Sequence, residues 1–254
     1  MTMDTLLNLI KVCGAEPHTV LGAADGWHSD ELDNTLANRA HAELAQLGLS
    51  GSNGVDPDLL TVVETITYPY VEYYAWIAGA YEGAPVNYTV LACAGTRDAS
   101  VLVRNIDNDT VVLLSVPRDR LLHEFIAQLP ALEPGNGQAV TASHSDVFGT
   151  GPGEDETFTV MRGPRQSKSA LAASEVKRIL NLQRLGGGQL YTAHRNRAGM
   201  RRRVERPLVY IDTLEGRWLT EETAGTGEPD VACTPATPQL LAHRLHTNHS
   251  ALVD

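Results

Sequence analysis

The stretch from Gly186 to Glu222 limits the architecture more than any other part of the chain, because it reads as a glycine-stopped helix feeding a small antiparallel meander. Gln189 to Arg195 alternates, with Leu190, Thr192 and His194 on one side and Tyr191 and Ala193 on the other. Asn196 to Gly199 is a turn cluster, and Leu208 to Ile211 is a β-rich run. A tight reversal at Leu214, Glu215 and Gly216 then starts Arg217-Trp218-Leu219-Thr220 as a further strand. Strands this closely spaced build a surface, not a reaction centre.

The upstream half carries the same kinds of signal. Ser29 offers an N-cap oxygen, and Asp30, Glu31 and Asp33 place negative charge at the positive end of the helix dipole. The predicted helix has the apolar stripe Leu32, Leu36, Ala40, Leu44 and Leu47 and stops at Gly48. A second helix opens at Asp56, with Pro57 in its first position, and buries Leu59, Leu60, Val63 and Ile66. From Val71 the period becomes two: Val71, Tyr73, Ala75 and Ile77 share one face, and Glu72, Tyr74 and Trp76 the other. Val86 to Ala94, Ser100 to Ile106 and Thr110 to Val116 complete a four-stranded meander. After Pro117, Leu121, Leu122, Phe125, Ile126 and Leu129 give an amphipathic helix closing at Pro130. The first thirty residues are weakly patterned, with Val20 and Leu21 the candidate for a short strand.

Glu133 to Gly153 is rich in Gly, Pro, Ser, Asn and Thr, and Glu154 to Glu156 add charge, the composition of a mobile linker. Beyond it come a helix over 167–185, the second meander and a last helix over 235–251 carrying Leu240, Leu241 and Leu245. The order helix, meander, helix thus recurs on both sides of the linker. This predicts a pseudo-twofold α+β fold with one antiparallel sheet built from two meanders. A single domain would span 1–254 as two half-repeats, about 1–132 and 157–254, joined by a flexible linker near 133–156. Separate domains stay open as an alternative, since a linker of this length is also a boundary mark.

Charge and cysteine content narrow the function classes. With 31 acidic against 20 basic residues the formal net charge is −11, which argues against nucleic acid as the main partner. Cys13, Cys93 and Cys233 are odd in number and lack C-x-x-C spacing, so neither a disulfide framework nor a thiolate zinc site is expected, and a reduced cytosol is the natural home. Met1 to Val12 lacks the basic charge, apolar core and cleavage pattern of a secretory signal. The apolar run Tyr68 to Ala80, broken by Glu72 and Gly79, is too short to span a bilayer. The expectation is a cytoplasmic chain without membrane insertion.

Candidate chemistry is sparse. Gly186 to Gly188 follow a helix, whereas a phosphate loop precedes one, so a C-terminal helix stop is the preferred reading. His243, His246 and His249 recur every three residues, a spacing that drifts round a helix and converges poorly on a metal; exposed polar faces account for them. No G-x-S-x-G, S-x-x-K, H-E-x-x-H or Walker motif is present, and no cofactor is implied. An enzyme would have to use polar groups near the linker, such as His144 and Asp146, and a nucleic-acid or regulatory binder would have to use the arginines between Arg195 and Arg206. Those arginines also suit a solvated strand face or a protein contact. The aromatic run Tyr68, Tyr70, Tyr73, Tyr74, Trp76 and Tyr81 divides between core and interface, because an alternating strand points only half its rings to one side.

Gly188-Gln-Leu-Tyr191, Asp212-Thr-x-x-Gly-Arg-Trp-Leu219, the Tyr-rich strand from Pro69 to Trp76 and the Leu129-Pro130 helix end together resemble the EspG family, cytosolic chaperones of actinobacterial type VII (ESX) secretion systems. The resemblance implies a central antiparallel sheet flanked by two helical bundles, no enzymatic activity, and binding of the helical tip of a PE/PPE-like export substrate or an equivalent. It leaves the oligomeric state at monomer or weak homodimer.

Charge and shape suggest where such a client would bind. Val209 and Ile211 share one face of their strand, and a groove between that sheet and the last helix, with Leu240, Leu241 and Leu245, could take a client helix. Arg201 and Arg203 would stand at its rim and steer an acidic or dipole-negative helix end. The Tyr74 and Trp76 face of the first meander is next in line.

Overall fold

The computed structural model of the protein describes residues 1–22, 30–149, 168–223 and 228–253, with side-chain environments from residue 34 onward in the second segment. In chain order the elements are α1 (Met3–Val12), α2 (Asp30–Gln46), β1 (Ser50–Gly51), β2 (Gly54–Val55), α3 (Pro57–Thr67), β3 (Val71–Tyr81), β4 (Ala84–Ala94), β5 (Ala99–Asn105), β6 (Thr110–Val116), α4 (Leu121–Ile126), β7 (Val140–Ser143), α5 (His144–Phe148), α6 (Lys168–Leu180), β8 (Arg184–Arg195), β9 (Arg201–Arg203), β10 (Leu208–Thr213), β11 (Gly216–Thr223), β12 (Asp230–Pro235) and α7 (Pro238–Val253). Ten strands form a large antiparallel sheet, so the chain is α+β. It divides into two compact units that do not follow the expected sequence halves: Met1–Pro130 with Gly188–Pro207 and Pro238–Asp254, and Ala131–Gly187 with Leu208–Thr237.

In the first unit β3, β4, β5 and β6 form the predicted meander, with Tyr74 opposite Leu91, Leu91 opposite Leu102 and Leu102 opposite Leu113. Those residues share one face, against which α1 and α3 pack Met3, Leu6, Leu9, Ile10, Leu59, Val63 and Ile66. Each such side chain, once buried, contributes about 1.5–3 kcal/mol. The opposite face carries Tyr73, whose ring lies 6.0 Å from Phe125 of α4 and 6.1 Å from His249 of α7. At Tyr73 and Tyr74, β3 is thus buried on both sides within its own unit. The start of α3 follows its cap: the Asp56 carboxylate accepts from Asp58 and Leu59 N–H, with Pro57 in the first turn.

The second unit places α5 and α6 on β7, β10, β11 and β12 around Val147, Val176, Ile179, Ile211, Trp218 and Cys233. Trp218 is fully enclosed, and a Cβ on Gly135 would fall 2.2 Å from its ring. On the opposite face of the same strands Arg217 donates to Asp212 through Nε and Nη2, both at 2.7 Å, with its guanidinium 4.5 Å from the Tyr210 ring centroid. Of the three thiols, Cys93 and Cys233 are buried and Cys13, at the end of α1, is exposed.

Several expectations are corrected. Gly186 to Gly188 do not end a helix; α6 stops at Leu180 and the glycines lie inside β8. The reason is close approach, since a Cβ on Gly187 would sit 2.6 Å from the Tyr210 carbonyl oxygen. Residues 140–148 of the expected linker form β7, paired with β12, and α5, whose Val147 is buried; residues 150–156 lie outside the described residues. Val20 and Leu21 form a 3₁₀ turn rather than a strand. The segment before them holds α1, capped by the Thr2 hydroxyl. Leu47 and Leu60, placed on buried stripes, are exposed. Ser29 and the side chains of residues 30–33 lie outside the described residues. No helix among the described residues is long and apolar enough to cross a membrane.

Two substitutions test this packing. Gly187→Ala should lower stability by about 2 kcal/mol through overpacking against backbone, seen as a fall in Tm of about 4–8 °C. Leu241, on α7, is 1% exposed, so Leu241→Asp buries an unpaired carboxylate and should cost about 3–5 kcal/mol in urea unfolding or leave the chain insoluble.

Candidate functional site

The side chains with the clearest surface chemistry gather on the first unit, where β3, β8 and β9 meet. Tyr74 and Trp76 are two residues apart on β3 and therefore share a face, and Tyr191 reaches them from β8. The Tyr74 and Tyr191 rings stack at 5.2 Å with an interplanar angle of 5°, and Trp76 meets them edge-on at 5.6 Å and 5.4 Å. Tyr74 is buried, whereas Trp76 and Tyr191 are half-buried and form the outer layer. The turn at Asn196 to Gly199 folds β9 back on β8; the Asn196 carboxamide oxygen accepts from Ala198 and Met200 N–H, and Gly199 takes a positive φ of 84°. That return sets Arg203 opposite Ala193, with its guanidinium 5.4 Å from the Tyr191 ring, and Arg201 opposite Arg195, 5.9 Å from the Tyr74 ring.

The two arginines do different things. Arg203 is exposed. Arg201 is committed to Glu72: its Nε donates to the two carboxylate oxygens at 2.9 and 3.0 Å. Glu72 is fully buried on β3, and its second partner is His18, whose Nε2 lies 3.1 Å from Oε2. Because Nδ1 of His18 accepts from Val20 N–H at 3.3 Å, Nε2 carries the proton and donates to Glu72. Burial alone would raise the Glu72 pKa, but the hydrogen bonds from His18 and Arg201 hold it below the ordinary glutamate range. Sequence reasoning saw Arg201 as a free rim charge; the partner it missed is 129 positions away.

The other expected contact residues fall elsewhere. Leu241 and Leu245 are buried in the first unit and Leu240 is half-buried on the same helix. Val209 is half-buried in the second unit, and Ile211 there packs into the cluster that holds Val176 and Ile179 of α6. Leu241 and Leu245 are therefore interior packing rather than the floor of an open groove. His243 and His246 are exposed, but His249 is half-buried, 5.3 Å from His194. Burial, then repulsion from His194 and His246, lowers its pKa. No three His, Cys, Asp or Glu side chains converge as a metal site among the described residues.

A polar cleft of about 420 Å³ lies on the first unit between Glu64, Tyr68, Asp98, Arg195 and Arg197. His144 and Asp146 do not line it. The Asp146 carboxylate accepts from the Ser169 hydroxyl at 2.7 Å, and the His144 ring rests 4.8 Å from Phe148, so both serve the local structure of the second unit.

The Glu72 network gives a pH-dependent signature. A carboxylate whose folded pKa is depressed adds stability that is present above its unfolded pKa and is lost as the pH falls through the folded value. Glu72→Gln should therefore cost about 2 kcal/mol at neutral pH. The difference from wild type should narrow once the pH drops below about 4; urea unfolding across that range measures it.

No curated protein matches the chain. The EspG family model, however, matches residues 2–247, which takes in both units and every element from α1 into α7. The chain belongs to the EspG family.

Proposed function

We propose that the chain is a cytosolic chaperone of type VII (ESX) secretion that covers the apolar helical tip of a PE/PPE-like export substrate, keeps it soluble and delivers it to the secretion machinery, without a catalytic step of its own. The observation that carries this reading is the family match over residues 2–247, which implies an ESX-associated secretion chaperone role. An apolar helical tip aggregates if left uncovered, so the chaperone must hide it and still release it.

The contact surface we assign is the ring layer of the first unit. Trp76 and Tyr191 offer half-buried aromatic area, rigid at low entropic cost, and the exposed Arg203 beside them suits the negative end of a helix or an acidic side chain. Tyr74 and Arg201 support this layer from below and behind. With Leu241 and Leu245 buried, this face takes the place of the groove along the last helix.

Co-expression with small helical export substrates encoded in the same genome, followed by size-exclusion chromatography, tests the proposal. One of them should co-elute with the chain; if every candidate elutes separately, the reading fails. Given a client, Trp76→Ala should weaken binding by about 2 kcal/mol. Arg203→Glu should slow association by about tenfold at low salt, with the difference shrinking as salt is added. A client that binds both variants as tightly and as fast as wild type would remove this face from consideration.

A further inference from the structure

β6 is the last strand on its side of the sheet, and its outer edge is only partly covered. Alternate residues of an antiparallel strand direct their N–H and C=O groups to opposite neighbours. Val111 directs its groups outward: its N–H donates to the Met1 carbonyl at 2.8 Å, and the Met1 ammonium donates to the Val111 carbonyl at 3.0 Å. Leu113 and Ser115 share that orientation, and their outward groups meet no neighbouring strand among the described residues. Past Val116 stands Pro117, which has no N–H to offer. Among the described residues the edge left open is therefore the five residues Val112 to Val116, between the pairing with Met1 and a proline.

Edge strands are commonly blunted by charge, proline or a bulge. This one has none of them between 112 and 116, and it displays Val112 at 56% and Leu114 at 44% exposure. We propose that a second copy of this chain pairs here, antiparallel about a two-fold axis, with Leu114 of one copy opposite Leu114 of the other.

The occupant and the register follow from the hydrogen-bond arithmetic of the edge. A two-fold centred on Leu114 sets Leu113 of each copy against Ser115 of the other, so every free outward donor and acceptor is used once. Val112 then faces Val116 across the axis, and the exposed apolar side chains cover one another. Centring on Leu113 would need the groups of Val111, which Met1 already holds. Centring on Ser115 would need an N–H from Pro117. The segment carries no charge, so no like charges are set opposite each other across the axis. Contact over five residues per copy falls well short of the roughly 1,200 Å² typical of stable complexes, so the dimer is weak, in the micromolar range or above. β4 and β5 lie between this edge and β3, which leaves the ring layer of Trp76 and Tyr191 outside the interface.

Sedimentation velocity of the full chain from about 10 µM to about 1 mM is the test. The weight-average mass should climb from monomer toward dimer, and Ser115→Pro, which removes one outward N–H, should stay monomeric with an unchanged circular dichroism spectrum. Leu114→Lys and Leu114→Glu alter an exposed side chain; each alone should be monomeric, and an equimolar mixture should dimerise at least as well as wild type. A wild-type chain that is monomeric throughout overturns the proposal. So does a folded Ser115→Pro chain that dimerises as before, or a mixture of the Lys and Glu variants that fails to associate.

Discussion

A buried carboxylate organises the first unit. Glu72 sits on β3 with no exposure to water, a position that would cost several kcal/mol for an unpaired charge. Its partners come from either side of it in sequence, His18 from the turn after α1 and Arg201 from β9. Satisfying this one group fixes three things together: where the N-terminal segment crosses the sheet, how far β9 folds back, and which side of Tyr74 the Arg201 guanidinium occupies. The aromatic layer depends on that arrangement, since Tyr74 touches His18 edge-on at 4.9 Å and stacks on Tyr191. A polar network in an apolar setting specifies geometry in a way that Leu and Val packing alone would not.

The fold was legible where local chemistry decides it. The Asp56-Pro57 start of α3, the period-two run from Val71 and the Asn196 to Gly199 reversal needed no knowledge of the rest of the chain, and each is where the residues placed it. The glycines of β8 show the opposite case. Gly186 to Gly188 would serve equally well as a helix stop or as a strand pressed against another backbone, and only the Tyr210 carbonyl decides between them. β7 escaped notice for a similar reason: Val-Thr-Ala-Ser is a strand because β12 pairs with it, not because of its own propensity. α1 was missed although the signal was there, in Met3, Leu6, Leu9 and Ile10, whose spacing marks one helix face.

The candidate surface was half legible. Tyr74 and Trp76 announce a shared face by their spacing, but Tyr191 joins them through a pairing that spans more than a hundred residues of sequence. An arginine-rich strand looks uniformly basic in sequence, yet its members divide by parity. Arg201 and Arg203 face the rings, while Arg202 turns to the other side and donates to the Leu252 carbonyl at 3.2 Å. The apolar stripe of α7 carried no sign of whether its cover is the protein itself or a client, because burial by either demands the same residues.

The distribution of sulphur gives the molecule an unplanned experimental convenience. Burial and the neighbouring Glu72 push the Cys93 thiol far above its usual range, and burial together with Glu175 takes Cys233 up to about 11. Neither forms appreciable thiolate at neutral pH, and thiolate is the reactive species. Cys13 alone is open to solvent, at the end of α1. A maleimide dye or spin label added to the unmodified chain therefore attaches at one place, and that place reports on the helix whose neighbouring turn delivers His18 to the buried carboxylate.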